Sequence, residues 1–180
     1  MACARDGSLQ LGFGMGKYPN RNVLDAYAGV SRGKEQWTVR ASRHLAPEPE
    51  RSAAGPIRYE IVEPLHAIKF ALEPNDFVPV SFEWWFEGAV PPALEHRERH
   101  RSRDGSRLDA DIVRFHHIGT AHGWVDVDGE RTELDDATWV STRDRSWGVR
   151  YMVGAPVTDV APRPDVPDVS TLVMLSLIHI

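Results

Sequence analysis

The sequence predicts an all-β protein: an antiparallel lipocalin-like barrel, or one half of a two-barrel protein, truncated at its C-terminus. Three observations carry that expectation. Hydrophobic residues recur with a period of two over most of residues 9–150, the segments that carry them are joined by turn-length connections, and no stretch shows a convincing amphipathic helical stripe.

The first strand candidates are "LQLGFGMG", "VLDAYAGVS" and "EQWTVRASRHL", the last two joined at Arg32-Gly33. Gly12, Gly14 and Gly16 alternate in the first. A dinucleotide loop needs G-x-G-x-x-G opening a helix, and here the spacing differs and Pro19 and Asn20 follow. Glycines on one face of a strand instead permit a close approach or a bend. In "IRYEIVEPLHAIKFALEP", Ile57, Tyr59 and Ile61 alternate with Arg58 and Glu60, then Ile68, Phe70 and Leu72 with Lys69. Pro64 divides this run into two strands, because proline cannot donate to a central ladder. In "FVPVSFEWWFEG", Val78, Val80, Phe82, Trp84 and Phe86 share one face, which is the expected core face.

Two of the three Asp-Gly dipeptides mark hairpins, since both central residues of a type I′ turn need positive φ. A turn at Asp128-Gly129 places Val127 opposite Glu130, Asp126 opposite Arg131 and His122 opposite Asp135. The other, Asp104-Gly105, folds "EHRERHRSR" back on "SRLDADIVRFHHIG". "PPALEHRERHRSR" is the sole helical competitor, with Pro91 and Pro92 at its start, but it lacks an apolar stripe and reads as strand or exposed loop. Its arginines at 97, 99, 101 and 103 suit a charge-guarded edge strand better than a polyanion site, and no aromatic residues are interleaved for stacking on bases.

Composition narrows the function classes. The net charge of −5 argues against nucleic acid as a partner. Cys3 is the only cysteine, which excludes an intrachain disulfide framework and fits a cytoplasmic setting. No secretory signal and no run of 18 apolar residues is present, so no membrane span is expected. Residues 153–174 read as a Pro-rich connection toward a missing second domain of the same chain. The final "LSLIHI" (175–180) resembles sequencing-adapter read-through and is set aside from functional reasoning.

Chemistry concentrates in "STRDRSWGVR" (141–150). In an extended strand Arg143, Arg145 and Trp147 share one face, and Asp144 and Ser146 the other. Flanking arginines keep Asp144 ionised, which favours an anchor over a proton donor. Arg and Trp together also suit a ligand surface, through stacking and forked hydrogen bonds. The adjacent His116 and His117 point to opposite strand faces, so "FHHIGTAH" does not converge on a metal, and no metal site is expected.

The order "GFGMGKYPN", "QWTVRASR", "GPIRYEIVEPL" and "TRDRSWGVR" resembles the lipocalin-related two-barrel superfamily that includes carotenoid hydratases (hydroxyneurosporene synthase-like), and within it a bacterial branch of uncharacterised function, over about residues 10–152. The resemblance implies two β-barrel domains side by side and a hydrophobic ligand held in a barrel or between them, this chain being mainly the first barrel (1–152). The hydratases' His-Asp-His motif followed by Trp-Gly aligns with Arg143, Asp144, Arg145, Trp147 and Gly148. Both histidines are arginines here. Arginine stays protonated and cannot shuttle protons, so the hydration mechanism does not carry over directly.

The expected function is therefore binding of a hydrophobic, isoprenoid or lipid-like small molecule without a cofactor. Two readings stay open. One is a hydratase-, cyclase- or isomerase-like enzyme with Asp144 and Arg143 as catalytic residues and Trp84, Phe86, His117, Trp147 and Arg145 facing the ligand. The other is a non-catalytic carrier in which the RDRSWG motif clamps two domains together.

Overall fold

The computed structural model describes residues 1–150, so the connection at 153–174 and the terminal "LSLIHI" lie outside the described residues. Strands dominate: β1 (Ala2–Ala4), β2 (Leu9–Tyr18), β3 (Val23–Arg32), β4 (Glu35–His44), β5 (Ala53–Ala54), β6 (Ile57–Glu63), β7 (Ala67–Leu72), β8 (Val80–Gly88), β9 (Ala93–Leu94), β10 (Glu98–Arg101), β11 (Leu108–Val127), β12 (Glu130–Leu134) and β13 (Trp139–Val149). A 3-10 turn, Pro19–Arg21, joins β2 to β3. The described residues divide into two compact units, Met1–Glu95 with Phe115–Arg145, and His96–Arg114 with the described residues that follow Arg145.

The first unit is an antiparallel sheet ordered β4-β3-β2-β1-β13-β11-β8-β7-β6-β5. Its two ends curl back on each other into a nearly closed barrel, with β3 and β4 touching β5. Arg43 of β4 fastens this seam. Its Nε donates to the Ala53 carbonyl at 2.8 Å, and its two Nη groups donate to the carbonyls of His44, Leu45, Glu48 and Arg51. One guanidinium thus satisfies carbonyls that a loop of this kind would otherwise leave to water.

The period-two pattern sorts side chains as the sequence predicts. Val80, Phe82, Trp84 and Phe86 are buried, while Glu83 and Trp85 between them are half-buried on the opposite face. Phe13, Phe70, Phe82 and Trp84 form the aromatic centre, with ring centroids 4.9 Å apart for Phe13–Phe70 and Phe70–Trp84 and 5.0 Å for Phe82–Trp84. Such offset contacts contribute about 0.5–1.5 kcal/mol per pair beyond area burial. Among the alternate glycines of β2, Gly14 serves close approach, since a Cβ there would lie 2.2 Å from the Tyr27 ring of its cross-strand partner, whereas a Cβ on Gly12 would meet nothing within 4 Å.

The β11–β12 hairpin has the predicted register, Asp126↔Arg131 and Val127↔Glu130, with Asp128 and Gly129 at φ 58° and 82°. The His122–Asp135 pair does not form, because the ladder ends at Gly123↔Leu134. Asp135 turns away to accept from the backbone N–H groups of Ala137 and Thr138 and from the Thr138 hydroxyl.

In the second unit β10 folds back on β11, Arg101 opposite Leu108. The turn is wider than a two-residue loop, since Asp104 accepts from Ser102 Oγ and from both the backbone and hydroxyl of Ser106. Those bonds hold its carboxyl well down, at about 2. Arg97 grips Asp111 through Nε and Nη2, so this arginine is spent on an internal pair.

Candidate functional site

The site grows from the end of β8. Phe86 lies opposite Ala121 of β11 in the ladder and is fully buried, and two residues later β8 ends at Gly88. A Cβ at Gly88 would sit 2.2 Å from Nε2 of His117, so the glycine leaves the space that this imidazole fills. His117 is buried, its ring edge-on to Phe86 at 4.9 Å. Its Nε2 lies 2.7 Å from the Val90 carbonyl, and Nε of Arg143 donates to its Nδ1 at 3.3 Å. Only the neutral tautomer with the proton on Nε2 satisfies both bonds. Burial pushes the His117 pKa below its ordinary value; the Val90 bond opposes that, and the Arg143 and His66 charges reinforce it.

Arg143 is half-buried between two rings, its guanidinium carbon 5.2 Å from the centroids of both Phe86 and Phe115. Each such contact contributes about 0.5–2 kcal/mol, more as the cation is desolvated. The Nη2 atom is buried without a hydrogen-bond partner. Burial first, and the like charge of Arg145 second, bring the Arg143 pKa below the usual arginine range. A buried guanidinium N–H left unsatisfied costs about 1–3 kcal/mol.

Arg143 and Arg145 open onto a hollow of about 110 Å³. Its other walls are Ile61, Pro64, Leu65 and Ile68 from the β6–β7 corner and Phe115 from β11. Ile61 and Leu65 remain 45% and 60% exposed although both are large and apolar. Leu65 also has φ 61°, a left-handed conformation that costs a branched L-residue about 1–2 kcal/mol. Such strain concentrates at ligand clamps and switch regions.

The remaining sequence-predicted residues fall elsewhere. Trp84 is fully buried in the aromatic centre, its Nε1 without a hydrogen-bond partner. Phe86 stands behind Arg143 and does not line the hollow. Asp144 is exposed and is absent from the hollow's walls. Trp147, 48% exposed, belongs to the second unit, as does Gly148. The glycine of the motif has a structural reason: at φ 120°, a Cβ there would lie 1.9 Å from the Asp111 carbonyl oxygen. A second hollow of about 320 Å³, beside β1 and Trp139, is lined by none of the predicted residues. Among the described residues no three His, Cys, Asp or Glu side chains come together as a metal site, and no helix is long and apolar enough to cross a membrane.

Sequence reasoning missed Ile61, Pro64, Leu65, Ile68 and Phe115 as hollow-lining residues. A signal was present in "IVEPL", which puts isoleucine, valine and leucine around a proline corner where turn residues are ordinarily polar. In comparison with known proteins, residues 1–177 match a family of unknown function (DUF8625). No curated protein and no solved structure matches the chain.

Proposed function

We propose that this chain, which belongs to the family of unknown function DUF8625, binds a hydrophobic small molecule, isoprenoid or lipid-like, at the hollow between the β6–β7 corner and Arg143. The observation that carries this reading is Leu65: a large apolar residue, strained and mostly exposed, on the wall of a hollow whose other apolar walls are Ile61, Pro64, Ile68 and Phe115. Leaving such a side chain in water gains the free protein nothing, whereas a ligand laid across it removes apolar area. Each ligand methylene taken out of water contributes about 0.8 kcal/mol. The Phe115 and Phe86 rings hold Arg143 in place, so part of the ordering cost is met before a ligand arrives.

Binding without turnover fits the side chains better than catalysis does. Among the walls only Arg143 and Arg145 ionise, and a guanidinium neither gives nor takes a proton near neutral pH. His117 behind them has both ring nitrogens engaged. Asp144 stands outside the walls. Kinship with the two-barrel carotenoid hydratases, and a cytoplasmic setting, belong to the same proposal; that kinship would supply the same class of ligand.

All-trans-retinol, a fluorescent and uncharged isoprenoid, tests the reading. Saturable one-to-one binding that Leu65→Asp abolishes is the expected result, and aspartate tolerates the left-handed backbone at this position better than leucine does. Retinol binding that is equal in both proteins, or absent from both, overturns it.

A further inference from the structure

We propose that the ligand of this hollow is a chain acid, its carboxylate against Arg143 and Arg145 and its hydrocarbon along Ile61 and Leu65. The inference rests on the hydrophobic-ligand reading above and adds the chemistry of the head group.

Charge is the first argument. Arg32, Arg58, Arg97, Arg107 and Arg131 each pair with a carboxylate. In a chain whose acidic residues outnumber its lysines and arginines, 26 to 21, internal partners are abundant. Yet no acidic side chain lies within ion-pair distance of Arg143 or Arg145 among the described residues, and the two like charges act on each other across the hollow they line. An arrangement of this kind is unfavourable when empty and is relieved by an incoming anion.

Geometry is the second. His117 occupies Nε of Arg143, and Nη2 is buried without an acceptor among the described residues, which leaves Nη1 of Arg143 beside the exposed guanidinium of Arg145. The Arg145 fork matches a planar carboxylate with two parallel bonds, and Nη1 adds a contact from the Arg143 charge. The rings of Phe86 and Phe115 exclude water from one side of that charge, which strengthens its attraction for an anion over what the same pair would have in bulk solvent.

Size is the third. A hollow of about 110 Å³ accepts a carboxylate and the first few methylenes, leaving the remaining chain to lie over the exposed Ile61 and Leu65. A phosphate monoester brings a bulkier head and a second charge, to be compensated by Arg145, which is exposed to water.

The test is a set of NMR titrations of the ¹⁵N-labelled protein with octanoate, octan-1-ol and octyl phosphate, repeated on Arg145→Gln. The Arg145 side chain is exposed and makes no hydrogen bond among the described residues, so Arg145→Gln is expected to keep the native structure. Octanoate is expected to bind at least about tenfold tighter than octan-1-ol, and Arg145→Gln to reduce that preference at least about threefold. Equal affinity for octanoate and octan-1-ol, or tighter binding of octyl phosphate, overturns the carboxylate assignment while binding of the alcohol at the hollow leaves the hydrophobic-ligand reading standing. Absence of shifts at the hollow with all three probes overturns both.

Discussion

Arg143 donates its Nε–H to Nδ1 of His117 across 3.3 Å, and that bond exists only while the imidazole is neutral. Protonation would set an N–H against an N–H and add a positive charge beside a guanidinium that has no counter-ion among the described residues. The floor of the hollow is therefore sensitive to acid.

The sign of that sensitivity follows from the depressed His117 pKa. The unfolded chain takes up a proton near the ordinary value of 6.5, and the folded chain resists it. The contribution is complete above pH 6.5 and is lost as the pH falls below it toward the lower, folded-state value. Urea unfolding at about pH 8 and about pH 5.5 should show a steeper acid loss for the wild type than for His117→Gln. Equal slopes would refute the neutral-imidazole assignment.

Gly88→Ala tests the space that His117 occupies. The new methyl would overlap Nε2, and either the ring or the strand end must move. A stability loss of about 1–3 kcal/mol is expected, typical of overpacking. In the same variant the ¹⁵N signals of His117 should shift, as the Val90 bond is broken.

Arg43→Lys should destabilise the barrel seam nearly as much as Arg43→Met, because an ammonium cannot reach the carbonyls of Ala53, Glu48 and Arg51 from one fixed fork. Charged hydrogen bonds of this kind contribute about 1.5–3 kcal/mol, and the partly exposed position puts the expected loss at the low end of that range. Limited proteolysis should find new cleavage within residues 46–52. A lysine variant as stable as wild type would count against the seam.

Leu65→Gly separates stability from binding. Glycine accepts φ 61° freely, so backbone strain is relieved while the apolar wall is lost. Thermal unfolding should show a melting temperature equal to or above that of the wild type, with retinol affinity reduced at least about fivefold, the loss of one well-buried leucine contact. Reduced stability together with intact binding would be the reverse of the expectation.

Much of the fold was legible because its determinants are local. The alternation of Phe82, Trp84 and Phe86 depends only on the strand period, Pro64 on its missing donor, and the register around Asp128-Gly129 on turn geometry. The Asp135 ladder end and the wide turn at Asp104 were not legible, because side-chain oxygens there competed with backbone pairing. The site was half legible. Strand alternation puts Arg143 and Arg145 on one face, and both line the hollow. What they meet depends on the barrel's curvature, which brings the 61–68 corner to Phe115 across about fifty residues of chain. Nothing in the spacing of "EWWFEG" and "FHHIG" discloses that Gly88 exists to admit His117.

The most direct measurement is a methyl-labelled NMR spectrum of the isoleucines and leucines at saturating retinol. Ile61, Leu65 and Ile68 should shift and show intermolecular NOEs to the ligand, with Leu11, Leu24 and Leu72 of the barrel interior unmoved. NOEs to the interior leucines, or to none of these methyls, would contradict the assignment of the hollow as the binding site.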